Sequence, residues 1–306
     1  MVSFRAKILI ALVRNRHWFK FKLRPEVVDE GFSVEAFRAE VDRATAKMKL
    51  PKGVTTRKEQ IGSLAAEWLL PEAPRAKKVL LYVHGGGFIS GSCHTHRPHV
   101  AKFAMQAQVA SLLFDYRLEP EHPFPAAVED CVAAFRWLLA QGHDPQDIVV
   151  GGESAGATLT LSLLLALQQE GVALPKAAFA ISPVTDLRCE AESFRSNAPR
   201  DIAPLGSWGT WTGYYMGDND PMQPLLSPLF GDYTGLPPLH ITVGTHEIHL
   251  DDCDAVAARA SACGVEVVLR RWEGMVHAFP LFTPLFPEAK AAFAEIIAFI
   301  DAHLAA

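Results

Sequence analysis

The sequence is short of cysteine, of positive charge and of long apolar runs, and each shortage removes a class of protein. Five cysteines are scattered along 306 residues with no C-x-x-C pair. Neither a disulfide framework nor a zinc ribbon is indicated, and a reducing cytosol is the expected compartment. Lys and Arg number 29 against 34 Asp and Glu, a net charge of −5, whereas a nucleic-acid binder carries a basic excess or stripe. The apolar N-terminal run Ile8–Val13 holds six residues, against roughly 20 for a membrane span, and no small-residue cleavage site follows it. It reads as an amphipathic helix that packs on the body, or else lies on a membrane surface, without stable insertion. Internal repeats, the Lys-Ser/Thr pair of a P-loop, G-x-G-x-x-G and H-E-x-x-H are also missing. No cofactor and no metal are expected. His94 and His96 with His99, or His246 and His249 with Asp251, read as solvated or capping side chains.

What is present is a large apolar share. With 49% apolar and 21% charged residues, the chain can bury a sizeable core, which excludes disorder as a whole-chain description. Residues 1–50 read as helical and strandless. From Val54 onward, β-rich runs at 57–62, 64–70, 78–83, 109–115, 147–152, 177–182, 239–243 and 265–272 alternate with helical stretches. The helices are expected near 98–107, 126–141, 155–170, 252–263 and 286–304. Val79–Val83 and Ile148–Val150 are apolar without alternation, as strands buried on both faces of a parallel sheet are. The class is therefore α/β, with a mostly parallel sheet of about eight strands flanked by helices.

The stretch 187–238, rich in Pro, Gly and Trp, breaks this rhythm. The expected organisation is a helical cap from 1–50 and 187–238, around a core made of 51–186 and 239–306. A cap in those places would cover the carboxyl edge of the sheet, where open α/β sheets bind ligands.

The sharpest chemical signal is Gly152-Glu153-Ser154-Ala155-Gly156, between an expected strand and an expected helix. In that setting G-x-S-x-G is a nucleophile elbow, a strained turn that lifts the serine hydroxyl above the sheet. Its glycines are needed where a side chain would strike neighbouring backbone. An ordinary Gly-rich turn is the bland alternative, and the strand-before, helix-after context weighs against it. His84-Gly85-Gly86-Gly87-Phe88 follows another strand. Its bare backbone suits an oxyanion hole formed by the N–H groups of Gly86, Gly87 and Ala155, each donor typically worth about 3 kcal/mol. His84 itself reads as a brace for the glycine loop rather than a base.

The base should follow the last strand, since the order in such folds is Ser, acid, His; His277 fits. For the acid, the loop after 239–243 offers Glu247, Asp251 and Asp252. Glu247 stands nearest the strand end and is preferred. Asp251 comes next and Asp252 third, since one of these two should cap the following helix.

Together with Asp115-Tyr116-Arg117-Leu118-Glu119-Pro120-Glu121-His122-Pro123-Phe124-Pro125-Ala126, Ser227-Pro228-Leu229, Gly235-Leu236-Pro237-Pro238 and His277-Ala278-Phe279, these motifs resemble the hormone-sensitive-lipase-like family of α/β-hydrolases, in its microbial carboxylesterase branch. The resemblance covers nearly the whole chain after residue 50. It implies an α/β-hydrolase fold with a helical cap, no cofactor, and a monomer or homodimer. It also implies that Ser154 is the nucleophile, His277 the base, and Gly86, Gly87 and Ala155 the oxyanion donors, acting on short- to medium-chain esters. The family usually has Asp where Glu153 stands. At the acid position it has an aspartate with a second acid four residues on, a spacing that Glu247 and Asp251 share. Phe88, Leu205, Trp208 and Trp211 are the expected walls of a substrate pocket. Two rivals remain: a non-catalytic receptor on the same scaffold, against which the presence of His277 and Glu247 argues, and a serine hydrolase of amides, thioesters, lactones or acetylated sugars.

Overall fold

A computed structural model describes residues 2–17, 28, 31–204 and 206–305. Its strands in chain order are β1 (Val54–Ile61), β2 (Leu64–Pro71), β3 (Val79–Val83), β4 (Ala110–Phe114), β5 (Ile148–Glu153), β6 (Ala177–Ile181), β7 (Leu239–Gly244) and β8 (Val267–Trp272). They form one sheet in the order β1-β2-β4-β3-β5-β6-β7-β8. The β1–β2 and β2–β4 pairs are antiparallel and all the others parallel. Every residue of β3, β5, β6 and β7 is buried, which is why their sequences run apolar without alternation.

Helices cover both faces. Leu81 of β3 points toward α4 (Ala126–Ala140) and α5 (Ala155–Gln169), packing with Phe135, Leu138, Leu159 and Leu163. Its neighbours Leu80 and Tyr82 point the other way, toward Val100 and Phe103 of α3 (Cys93–Ala107) and Phe293 and Ile296 of α9 (Pro287–Leu304). This is the period-two alternation of a strand, with apolar partners on each side. The helix α8 (Leu250–Ala262) packs Val256 and Ala260 against β7.

Among the described residues, four further helices lie outside this sandwich: α1 (Phe4–Arg14), α2 (Val34–Thr45), α6 (Glu192–Ser196) and α7 (Ser207–Met216). Arg38 fastens α2 to the loop after β3. Its Nε donates to the Ile89 carbonyl at 2.6 Å, and its two terminal nitrogens donate to the Glu121 carboxylate at 2.8 Å each.

One boundary differs from expectation in a way that matters for the site. The helix α3 starts at Cys93, not near Pro98, so His94 and His96 stand on it together with His99. Ser92 sets the start: its hydroxyl accepts from Thr95 N, while Thr95 Oγ1 accepts from Ser92 N. This reciprocal cap fixes the first turn, and the chain accommodates Pro98 within the helix.

Candidate active site

Four loops at the carboxyl edge of the sheet converge. The first is the turn from β5 into α5. Ser154 stands there at φ 56°, ψ −127°, a strained conformation held from both sides. A Cβ on Gly152 would lie 2.4 Å from the Val83 carbonyl oxygen, and one on Gly156 would lie 2.1 Å from the same atom. No side chain fits there, as the sequence pattern requires.

The second loop follows β3. The Gly85 N–H donates to Glu153 Oε1 at 2.5 Å, Tyr82 donates its hydroxyl hydrogen to Glu153 Oε2, and His96 Nε2 lies 2.9 Å from Oε1. Burial alone would raise the Glu153 pKa, but His96, Tyr82 and the Gly85 N–H together bring it below the ordinary carboxylate range. The glutamate in place of the family's aspartate thus ties the glycine loop to the elbow. His84 braces the same loop, with Nδ1 2.9 Å from the Gly85 carbonyl and its ring stacked on Tyr116. Burial, aided by the neighbouring His96, lowers the His84 pKa to about 4, so its ring is neutral at pH 7.

The third element is a pair of loops after β7 and β8, joined by hydrogen bonds from His246 N to the Met275 carbonyl (3.0 Å) and from Gly274 N to Thr245 Oγ1 (2.8 Å). They bring His277 Nε2 to 2.8 Å from Ser154 Oγ, and His277 Nδ1 to 3.4 Å from Glu247 Oε2. The remaining carboxylates of the acid loop face elsewhere. Asp251 accepts from Ser193 N at 2.8 Å, and Asp252 from Thr185 N and Asp186 N at 2.7 and 3.0 Å. Neither caps α8, contrary to expectation, because each is taken up by backbone donors of the segment after β6. Burial alone would lower the His277 pKa. The Glu247 carboxylate, with smaller contributions from Asp201 and Glu153, outweighs it and raises the value above the ordinary 6.5.

A cavity of about 270 Å³ opens over Ser154, lined by Gly86, Gly87, Phe37, Trp208, Trp211 and His277 among others. Trp211 lies against the glycine loop so closely that a Cβ on Gly87 (φ 63°) would come within 2.4 Å of the indole. Trp208 and Trp211, two of the expected walls, line this cavity. Phe88, also expected there, is fully buried, stacked flat on Tyr215 at 4.0 Å, and takes no part in the cavity wall. Its φ of 64° turns the side chain inward behind the loop. Leu205 lies outside the described residues. Among the described residues no group of three or more His, Cys, Asp or Glu is gathered as a metal ion would need, and no helix is long and apolar enough to cross a membrane.

A family model described as alpha/beta hydrolase fold matches residues 80–281. The chain belongs to that family. An acetyl-hydrolase from Streptomyces hygroscopicus is 40% identical over 272 residues, covering 87% of this chain and 89% of that protein. Among solved structures, an esterase from the bacterial hormone-sensitive lipase family is 37% identical, covers 99% of each chain and superposes with a TM-score of 0.90. An esterase structure obtained after soaking with p-nitrophenyl butyrate is 36% identical, with full coverage of both chains and a TM-score of 0.91. The family resemblance read from the motifs therefore holds.

Within this α/β-hydrolase, several residues that brace the site escaped the sequence reading. Ser182, at the end of β6, donates to Glu247 Oε1 at 2.9 Å and accepts from Ala278 N at 3.0 Å. Asp201 is buried and accepts from His277 N and Ile248 N, at 3.0 Å each. Asn197, four residues earlier, donates to the carbonyls of Thr245 and Glu247. His249, expected to be solvated or capping, is instead fully buried without its side chain capping α8, and packs edge-on between Trp208 and His277 at 4.4 and 5.0 Å between ring centres. Ser182, Asn197 and Asp201 belong to no motif, and their partners lie tens of residues away in sequence.

Proposed function

We propose that the protein is a serine carboxylesterase acting on short- to medium-chain carboxylic esters through an acyl-enzyme. The 2.8 Å contact between Ser154 Oγ and His277 Nε2, with the Glu247 carboxylate behind the ring, is the observation that supports it most. His277 takes the proton as Ser154 attacks the ester carbonyl, then gives it to the departing alkoxide. Water enters by the same route and releases the acid. The developing oxyanion is held by the N–H groups of Gly86, Gly87 and Ala155. The strained elbow aims the start of α5 at the same point, where the helix N-terminus favours negative charge. Glu247 keeps the imidazole in the tautomer that accepts from serine, and stabilises the imidazolium that follows. An acetyl-hydrolase and esterases among the relatives agree with this chemistry.

A cavity of about 270 Å³ falls below the roughly 300–1,000 Å³ of drug-sized sites, which suits a small acyl group against Trp208 and Trp211. Labelling with a fluorophosphonate probe and locating the modified residue tests the mechanism. Modification at Ser154 is the expected result, and modification anywhere else would refute it.

The pH profile carries a signed expectation. A base must be neutral to accept a proton, and the His277 pKa lies above 6.5. The acid limb of kcat/KM, which reports the free enzyme, is therefore expected to have its midpoint above pH 6.5. Replacing Glu247 by Gln removes the main influence that raises the pKa, so the midpoint should move to lower pH. A midpoint at or below 6.5 in the unaltered enzyme would contradict the ion pair's role.

A further inference from the structure

The helix α1 is apolar on two opposite sides. Successive residues advance about 100° around a helix, so Ala6, Leu9, Ile10 and Val13 fall on one side and Phe4, Ile8, Ala11 and Leu12 on the other. The first side is accounted for: Ala6, Leu9 and Ile10 pack with Met275, Phe279 and Phe286 of the body, and Ser3 is held to Glu288 by its N–H and hydroxyl. The second side faces outward. Phe4 is 77% exposed, Ile8 45% and Leu12 46%, in a row where a surface helix ordinarily carries polar side chains.

The flanks of this row are basic. Arg5 lies along one edge, Lys7 and Arg14 along the other, and α1 contains no acidic residue. The whole N-terminal region has this character: residues 1–25 hold seven Lys and Arg and no Asp or Glu, in a chain of net charge −5. We propose that the outward face of α1 is a docking surface for an anionic lipid bilayer. Phe4, Ile8 and Leu12 enter the boundary between headgroups and acyl chains, while the flanking basic residues stay at headgroup level with their aliphatic stems alongside. Charge selects the lipid and the orientation together, because an acidic body is repelled from the surface that attracts the basic helix. The surface is not remote from the site. Arg14, Asn15, Arg16 and His17 at the end of α1 wall a cleft with Ile202, Ala203 and Pro204, three residues that also line the cavity over Ser154.

Co-sedimentation with vesicles of phosphatidylcholine, with or without phosphatidylglycerol, tests this. The unaltered protein is expected to pellet with the phosphatidylglycerol vesicles, to pellet little with pure phosphatidylcholine, and to be released by salt. The pair Arg5→Glu and Lys7→Glu, and separately the triple change of Phe4, Ile8 and Leu12 to Ser, should each weaken binding by about tenfold or more. Both variants alter exposed positions, and hydrolysis of a soluble p-nitrophenyl ester serves as the check that they are folded. Binding is measured on Ser154→Ala as well, so its outcome is independent of the catalytic reading. Failure of the unaltered protein to bind anionic vesicles, or binding by both variants as strong as that of the unaltered protein, overturns the proposal. So does a dimer in sedimentation analysis that the serine changes dissociate while vesicle binding is absent, since the face would then belong to a second copy.

Discussion

Replacing Ser154 by alanine is expected to lower kcat/KM for p-nitrophenyl butyrate by about 10⁵-fold or more, and His277→Ala by a similar factor. At 1.36 kcal/mol per factor of ten, that is about 7 kcal/mol of transition-state stabilisation. The double variant should be little worse than either single one if, as proposed, the hydroxyl and the imidazole act only as a pair. The fold should survive. Ser154→Ala removes one oxygen from a turn whose geometry is set by Gly152 and Gly156 against Val83, so melting temperature should change little. Rates within tenfold of the unaltered enzyme would mean that hydrolysis does not pass through Ser154.

The second large effect concerns Glu247, and the hydrogen bonds around it fix the direction. Ser182 Oγ and Gly244 N both donate to Oε1, at 2.9 and 2.6 Å. In Glu247→Gln the side-chain carbonyl must stay in that place to satisfy two donors, which leaves the NH₂ group where Oε2 faced His277 Nδ1. A donor there requires Nδ1 to be the unprotonated nitrogen, so the proton sits on Nε2 and the ring cannot accept from serine. The expected loss is about 10⁴-fold in kcat, the size seen when the acid of a serine triad becomes its amide. Asp251→Asn and Asp252→Asn should cost less than tenfold, since those carboxylates bind the backbone of Ser193, Thr185 and Asp186. If Asp251→Asn were the crippling change and Glu247→Gln the mild one, the acid would have to be reassigned.

Much of this molecule was legible before any coordinates. The eight strands of the described residues fall within a few residues of their expected limits, and for β3, β5, β6 and β7 the reason is that strands covered on both faces must be apolar throughout. The elbow was legible for a different reason. Its glycines are dictated by contacts shorter than any side chain allows, and such a constraint leaves a fixed pattern in the sequence. The start of α3 is less legible, because the cap that begins it five residues before Pro98 lies in the undistinctive Ser92 and Thr95. Phe88 is an expected pocket wall as an apolar residue, but it is buried. Only its positive φ, invisible in sequence, turns it into the core.

Sequence alone therefore determined the fold class, the nucleophile candidate, the glycine loop and a short list of acids, since each depends on local backbone geometry or on the burial of a contiguous run. Tertiary structure decided which carboxylate meets His277 and which residues brace the pair. Ser182, Asn197 and Asp201 reach the loops after β7 and β8 across 47 to 96 positions of chain. Hydrogen bonds over such separations depend on where the whole sheet sets its strand ends, and a polar residue that will be buried in one looks the same in sequence as one that stays in water.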